Sequence, residues 1–176
     1  SKNFDTTLSA AMPDEGDIVF ISQSGALWSY IADFTAGLDD QSLIGFSGFV
    51  SLGNLADLEF KDFLDYYCND KAAKSIVLYI EKLKDGKGFI KSCKQCLKKG
   101  KKIYAVMAGS SLAGKEAAFS HTASLASDYN IYRGAFKQAG IVQCDSLIEA
   151  LEKISGREII EKKTESFKFG KRVEEH

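Results

Sequence analysis

Histidine is the scarcest reactive side chain in this protein: it stands at His121 and at the terminal His176 and nowhere else. An excess of one charge is also missing. The 23 Lys and Arg residues meet 24 Asp and Glu, for a formal net charge of -1, so no global field calls for nucleic acid or an anionic membrane surface. Long apolar runs are absent. The longest, such as residues 75–80 and 103–108, fall far short of the about 20 residues that span a bilayer, and no signal-peptide pattern opens the chain. The expectation is a cytoplasmic protein with no nucleic-acid and no membrane partner. Cysteine is sparse as well, at Cys68, Cys93, Cys96 and Cys144. Only Cys93 and Cys96 have a suggestive spacing, and no second Cys or His pair completes a zinc site. They lie in a lysine-rich helical pattern, where free cysteine packs as a small hydrophobe, and no metal is expected.

What is present suffices for one well-buried domain: 176 residues, 45% of them hydrophobic. Residues 1–15 carry little periodicity and read as an extension or the end of a preceding domain. Residues 16–155 read as the domain itself. Residues 156–176, rich in Lys, Arg and Glu with scattered apolar positions, read as a charged tail or linker.

Within the domain, short apolar runs alternate with helical spacing. Residues 17–21 form a first run, and after Ser22-Gln23-Ser24-Gly25 the apolar Ala26, Leu27, Tyr30, Ile31 and Phe34 recur with helical period. The same grammar predicts a strand over 43–50 and a helix over 57–68, a strand over 75–80 and a helix over 88–99. A strand over 102–108 follows, then helix 128–139, strand 141–144 and helix 147–154. Five strands alternating with helices imply an α/β fold with a mainly parallel five-stranded sheet covered on both faces.

Such sheets gather ligands at the carboxyl ends of their strands, beside helix N-termini. Four polar or glycine-rich segments fall at those ends: residues 22–25, 51–54, Glu81, and the stretch from Gly109 to His121. Ser22, Gln23, Ser24, Gly25 and Ala26 offer small residues, hydroxyls and the N–H groups of an opening helix, a setting that stabilises phosphate. The alternative is that Ser24 merely caps the helix, worth about 1 kcal/mol. Gly109, Ser110, Ser111 and Gly114 read as a flexible loop that runs on to Ser120-His121-Thr122. An imidazole is neutral and nucleophilic near its ordinary pKa of about 6.5, so His121 is a candidate phosphoryl carrier, against the plain reading of a surface histidine. Glu81 ends an apolar strand, where a carboxylate either orients such a ring or is simply solvated. Lys87, Lys91, Lys94 and Lys98 share one helical face; with no aromatic residue among them, that face is expected to be solvated.

The segments Gly16 to Leu27, Gly45-Phe46-Ser47, Phe49-Val50-Ser51-Leu52-Gly53-Asn54, Ala56-Asp57, Tyr79-Ile80-Glu81 and Ala118-Phe119-Ser120-His121-Thr122 together resemble the nucleoside-diphosphate-forming acyl-CoA synthetases, relatives of succinyl-CoA synthetase. The similarity runs in unbroken order from about residue 3 to about residue 155. It implies the flavodoxin-like, three-layer CoA-ligase subdomain of an ADP-forming acetyl-CoA synthetase, a unit that ordinarily follows a CoA-binding domain and works with an ATP-grasp domain or subunit. It implies that acyl-CoA and phosphate give acyl phosphate and CoA, and that a histidine then relays the phosphoryl group to ADP. CoA and ADP or ATP with Mg are thus the cofactors implied for the full enzyme, with sites largely outside this stretch, and a homo- or hetero-oligomer is allowed.

In that resemblance His121 matches the phosphorylated histidine, Glu81 the carboxylate that steadies it, and residues 22–26 the helix tip that faces the phosphate. There are departures. Met107-Ala108-Gly109-Ser110 replaces a usual Lys-Ala-Gly-Arg, Ala123 replaces a glycine, Leu125-Ala126-Ser127 stands for Leu-Ala-Gly, and Trp28 replaces a small residue. Two positive charges and some loop flexibility are gone. Two readings of other classes therefore remain alongside: a degenerate ligase-like regulatory or scaffold domain, as in protein acetyltransferases, and a free-standing flavin binder.

Overall fold

A computed structural model describes residues 13–38, 44–108 and 125–159, with the side chains of 125–131 left aside. The elements run β1 (Glu15–Ser22), α1 (Ala26–Ala36), β2 (Phe46–Ser51), α2 (Phe60–Tyr67), β3 (Ser75–Ile80), α3 (Gly86–Lys98), β4 (Lys102–Met107), α4 (Leu125–Ala139), β5 (Val142–Cys144) and α5 (Leu147–Ser155). The strands form one sheet in the order β2-β1-β3-β4-β5, and every pairing is parallel. This is the flavodoxin-like order, whose direction of winding reverses between β1 and β3.

Alternation along the strands sorts two apolar faces. Ile18, Phe20, Val77, Tyr104 and Val106 point to one side, where Trp28, Ile31 and Ala32 of α1 and Leu147, Ala150 and Leu151 of α5 cover them. Val19, Ile21, Ile76, Leu78, Ile80, Ile103 and Ala105 point to the other, beneath Phe60 and Leu64 of α2, Phe89, Cys93 and Cys96 of α3, and Phe136 of α4. Central strands covered on both faces must be apolar throughout, and β3 is buried at every position except the half-buried Tyr79. Each fully buried Phe or Ile contributes about 1.5–3 kcal/mol relative to exposure.

Helix starts follow local chemistry more closely than apolar spacing. The helix expected from residue 57 begins at Phe60, because Glu59 and Asp62 close a reciprocal capping box. The one expected from residue 88 begins at Gly86, because the carboxylate of Asp85 accepts from the Gly88 N–H at 2.9 Å. Strand β2 starts three residues later than expected, at Phe46. Before it, Gly16 and Gly45 cross so closely that a Cβ on Gly16 would lie 2.4 Å from the Gly45 backbone, and one on Gly45 would lie 2.5 Å from the Glu15 carbonyl oxygen.

Candidate functional site

All five strands point the same way, so the loops that follow β1 and β3 meet where the sheet reverses its winding, the crevice in which such folds bind ligands. The turn of residues 22–26 and Glu81 are those two loops. Nothing in the sequence spacing required them to be neighbours; the strand order does.

The turn is built from the inside. Ser22 is fully buried, and its hydroxyl donates to the Ser24 carbonyl at 2.8 Å while accepting from the Ser24 N–H at 3.0 Å. That hydroxyl is therefore spent on holding the turn. Gly25 is the N-cap of α1 and no side chain caps this helix, so Ser24 does not serve as its side-chain cap. The opening N–H groups of a helix have no acceptor within it, and here Gly25 and Ala26 face solvent. Gly25 also lies close to the end of β2: a Cβ there would sit 3.3 Å from Ser51 Oγ. The result is an open helix tip with partial positive charge, suited to an anion.

Gln23 joins this tip to the other wall. The residue is 5% exposed, and its Oε1 accepts from the backbone N–H of Glu81 at 2.7 Å and of Lys82 at 3.0 Å. Its own N–H donates to the Tyr79 carbonyl at 3.2 Å. The Glu81 side chain is exposed at the strand end. Burial, and after it the charge of Glu81, raises the Tyr79 phenol above its usual range.

The loop from Glu81 to Asp85 is fastened at further points. The Leu83 N–H donates to Tyr132 Oη of α4 at 3.3 Å, Lys84 Nζ donates to the Leu55 carbonyl, and the Asp85 N–H donates to Glu59 Oε2 at 3.1 Å. Lys61 pairs with Asp85 at 2.9 Å. The Gly88 N–H, then Lys61, hold the Asp85 carboxyl below the usual carboxylate range. These long-range fastenings have no signature in the spacing of residues along the chain.

The chain leaves this rim at Ala108, whose N–H donates to the Ile80 carbonyl at 2.8 Å, and re-enters the described structure at Leu125. His121 with Gly109, Ser110, Ser111, Gly114, Ser120 and Thr122 lies outside the described residues. The remaining sequence candidates fall elsewhere. Cys93 and Cys96 are buried and free, with Cys96 Sγ donating to the Leu64 carbonyl at 3.3 Å. Among the described residues no group of three or more His, Cys, Asp or Glu side chains is arranged to hold a metal ion, and no helix is long and apolar enough to cross a membrane. The lysines 87, 91, 94 and 98 are exposed along an open groove with Ile90 and Gln95.

Residues 15–155 match the family described as the succinyl-CoA ligase like flavodoxin domain. The chain belongs to that family. It is 46% identical over 137 residues to the alpha subunit of an ADP-forming acetate–CoA ligase II of Pyrococcus furiosus, covering 78% of this chain and 29% of the relative. An ADP-forming acetate–CoA ligase of Methanocaldococcus jannaschii is 43% identical over 152 residues, covering 86% of this chain and 21% of the relative. The chain thus spans less than a third of these curated relatives. Among solved structures, an acetyl-coenzyme A synthetase 1 of Ca. Korarchaeum cryptofilum, described as dinucleotide-forming, superposes with a TM-score of 0.66 at 35% identity over 80% of this chain and 30% of its own. The same enzyme is solved in complex with phosphate and ADP. The strand order of its sheet is the flavodoxin-like one that the family description names.

Proposed function

We propose that this chain is the phosphohistidine-carrying part of an ADP-forming acyl-CoA synthetase, with His121 as the carrier and the β1–β3 crevice as the station where it receives phosphorus. The observation that supports this most directly is the juxtaposition, through Gln23, of an uncapped helix tip with the strand end that bears Glu81. An anion receptor and a carboxylate side by side are what phosphoryl transfer to an imidazole needs.

In the proposed cycle, phosphate attacks the thioester carbonyl of acyl-CoA, releasing CoA thiol and leaving an acyl phosphate. One ring nitrogen of His121 then attacks phosphorus; the bond from phosphorus to the acyl oxygen breaks and the carboxylate departs. The α1 tip stabilises the phosphoryl oxygens through the N–H groups around Gly25 and Ala26. Glu81 accepts a hydrogen bond from the other ring nitrogen, fixing the tautomer and sharing the positive charge. A terminal oxygen of ADP finally takes the phosphoryl group, breaking the N–P bond. In this reading CoA, ADP and Mg are held by the CoA-binding and ATP-grasp parts of the whole enzyme, and the work is done in the cytoplasm.

The test uses the whole protein together with its ATP-grasp part. Incubation with labelled ATP and Mg, or with acetyl-CoA and labelled phosphate, is expected to place an acid-labile, alkali-stable label on His121, and His121→Ala to lose both label and turnover. Turnover that survives in His121→Ala refutes the reading. A fully folded protein that takes no label in either direction assigns the domain to a regulatory or scaffold role, which the loss of two positive charges before the loop would suit.

A further inference from the structure

Gln23 is polar and buried, and the oxygen of its carboxamide is committed within the crevice. Its Oε1 is already shared between two N–H donors, Glu81 at 2.7 Å and Lys82 at 3.0 Å, and only 5% of the residue is exposed. A carboxamide oxygen has two lone pairs, so that atom has no capacity left for substrate. Both donors belong to the first two residues after β3, where the ladder to β4 has ended at Ile80 and Met107. Without Gln23 those two N–H groups lose a partner that lies 58 and 59 positions away in sequence.

We infer that Gln23 is a positioning residue that sets where the Glu81 carboxylate stands relative to the α1 helix tip. The inference rests on the phosphohistidine reading of the same site. Glu81 is exposed, so packing does not fix its carboxylate; what the carboxylate can reach is set by where its backbone stands. That backbone is pinned to residue 23, and residue 23 is one position from Ser24 and two from the N-cap Gly25. One side chain thus couples the two walls directly. Tyr132 fastens the same loop further along through the Leu83 N–H, so releasing Gln23 leaves the loop attached while letting its first two residues drift. A shift on the order of 1 Å from such a change can cost about 100-fold in rate, although the chain still folds.

The test is a double-mutant cycle in the whole enzyme, reading single-turnover labelling of His121 for wild type, Gln23→Met, Glu81→Gln and the double variant. Methionine keeps the length and fills the space but offers no comparable acceptor. Gln23→Met is expected to slow labelling at least 10-fold with KM for ADP unchanged. Since Gln23 acts through Glu81, the double variant is expected to be no slower than Glu81→Gln within about threefold. Losses that multiply, or a Gln23→Met enzyme as fast as wild type, overturn the inference while leaving the phosphohistidine reading intact. A Glu81→Gln enzyme as fast as wild type removes the carboxylate from the reading itself and the inference with it. Hydrogen exchange on the unsubstituted protein gives a check that needs no variant to fold: the amides of Glu81 and Lys82 are expected to exchange slowly and together, and rapid exchange at both overturns the clamp.

Discussion

Alanine at Gly45 should be among the most damaging single-methyl additions to this fold. The added Cβ would sit 2.5 Å from the Glu15 carbonyl oxygen and 2.8 Å from Gly16 Cα, and these are backbone atoms that no rotamer change can move aside. The strands would have to separate where the Ile18 N–H donates to the Gly45 carbonyl at 3.2 Å and the Phe46 N–H donates to the Asp14 carbonyl at 2.8 Å. Overpacking costs about 1–3 kcal/mol, and two weakened hydrogen bonds add roughly 1 kcal/mol each, so a loss of about 3–5 kcal/mol is expected. In a domain of this size that lowers Tm by on the order of 10 °C. Guanidinium unfolding, followed by the fluorescence of the single Trp28, buried and stacked on Phe49 at 4.5 Å, would show it as a lower midpoint with an unchanged slope. Gly134 is the control. It lies in α4 with nothing among the described residues within 4 Å of a new Cβ, so Gly134→Ala should stabilise by about 0.5–1 kcal/mol. A Gly45→Ala variant that loses less than about 1 kcal/mol refutes the account of the crossing.

Three further outcomes follow from the same structure. Ser22→Ala leaves the Ser24 N–H without its buried acceptor and should cost about 1–3 kcal/mol, measured as an unfolding midpoint; no change would mean that the turn holds itself. All four thiols are buried, and burial pushes Cys96 up to about 12 and Cys144 up to about 11, so a thiol reagent at pH 8 should find four reactive groups only after unfolding, and rapid reaction of the native protein would contradict the packing. The same shifts fix a pH dependence: a thiol whose native pKa lies above its unfolded value of 9.0 contributes stability in full below pH 9, and that stability drains away as pH rises from there toward the native values. The urea midpoint at pH 10 should accordingly lie below that at pH 8, and equal midpoints would sink the argument.

The layered architecture was legible because parallel strands buried on both faces must be apolar nearly throughout. Runs such as β3 and β4 announce themselves, and the helices between them keep a regular apolar spacing. Boundaries were less legible where a side chain several residues away decides them, as Glu59 with Asp62 and Asp85 with Gly88 do. Strand order was illegible, since periodicity carries no record of which strand lies beside which. That order is what brings residues 22–26 to Glu81. The turn was visible as a small-residue segment after a strand, but the division of labour inside it was not: Ser22 ties the turn and Gln23 reaches β3, contacts that local sequence does not encode.

The sheet separates two packing compartments, and the crevice draws one wall from each. The turn feeds α1, whose buried residues lie with those of α5, whereas the Glu81 loop feeds α3, whose buried residues lie with those of α2 and α4. Wherever Gln23 keeps its hold on residues 81 and 82, sequence drift on one side of the partition can therefore reshape a single wall while its counterpart keeps its place. A lineage could retune the anion-facing half by exchanging residues around α1, and leave the carboxylate half as it was.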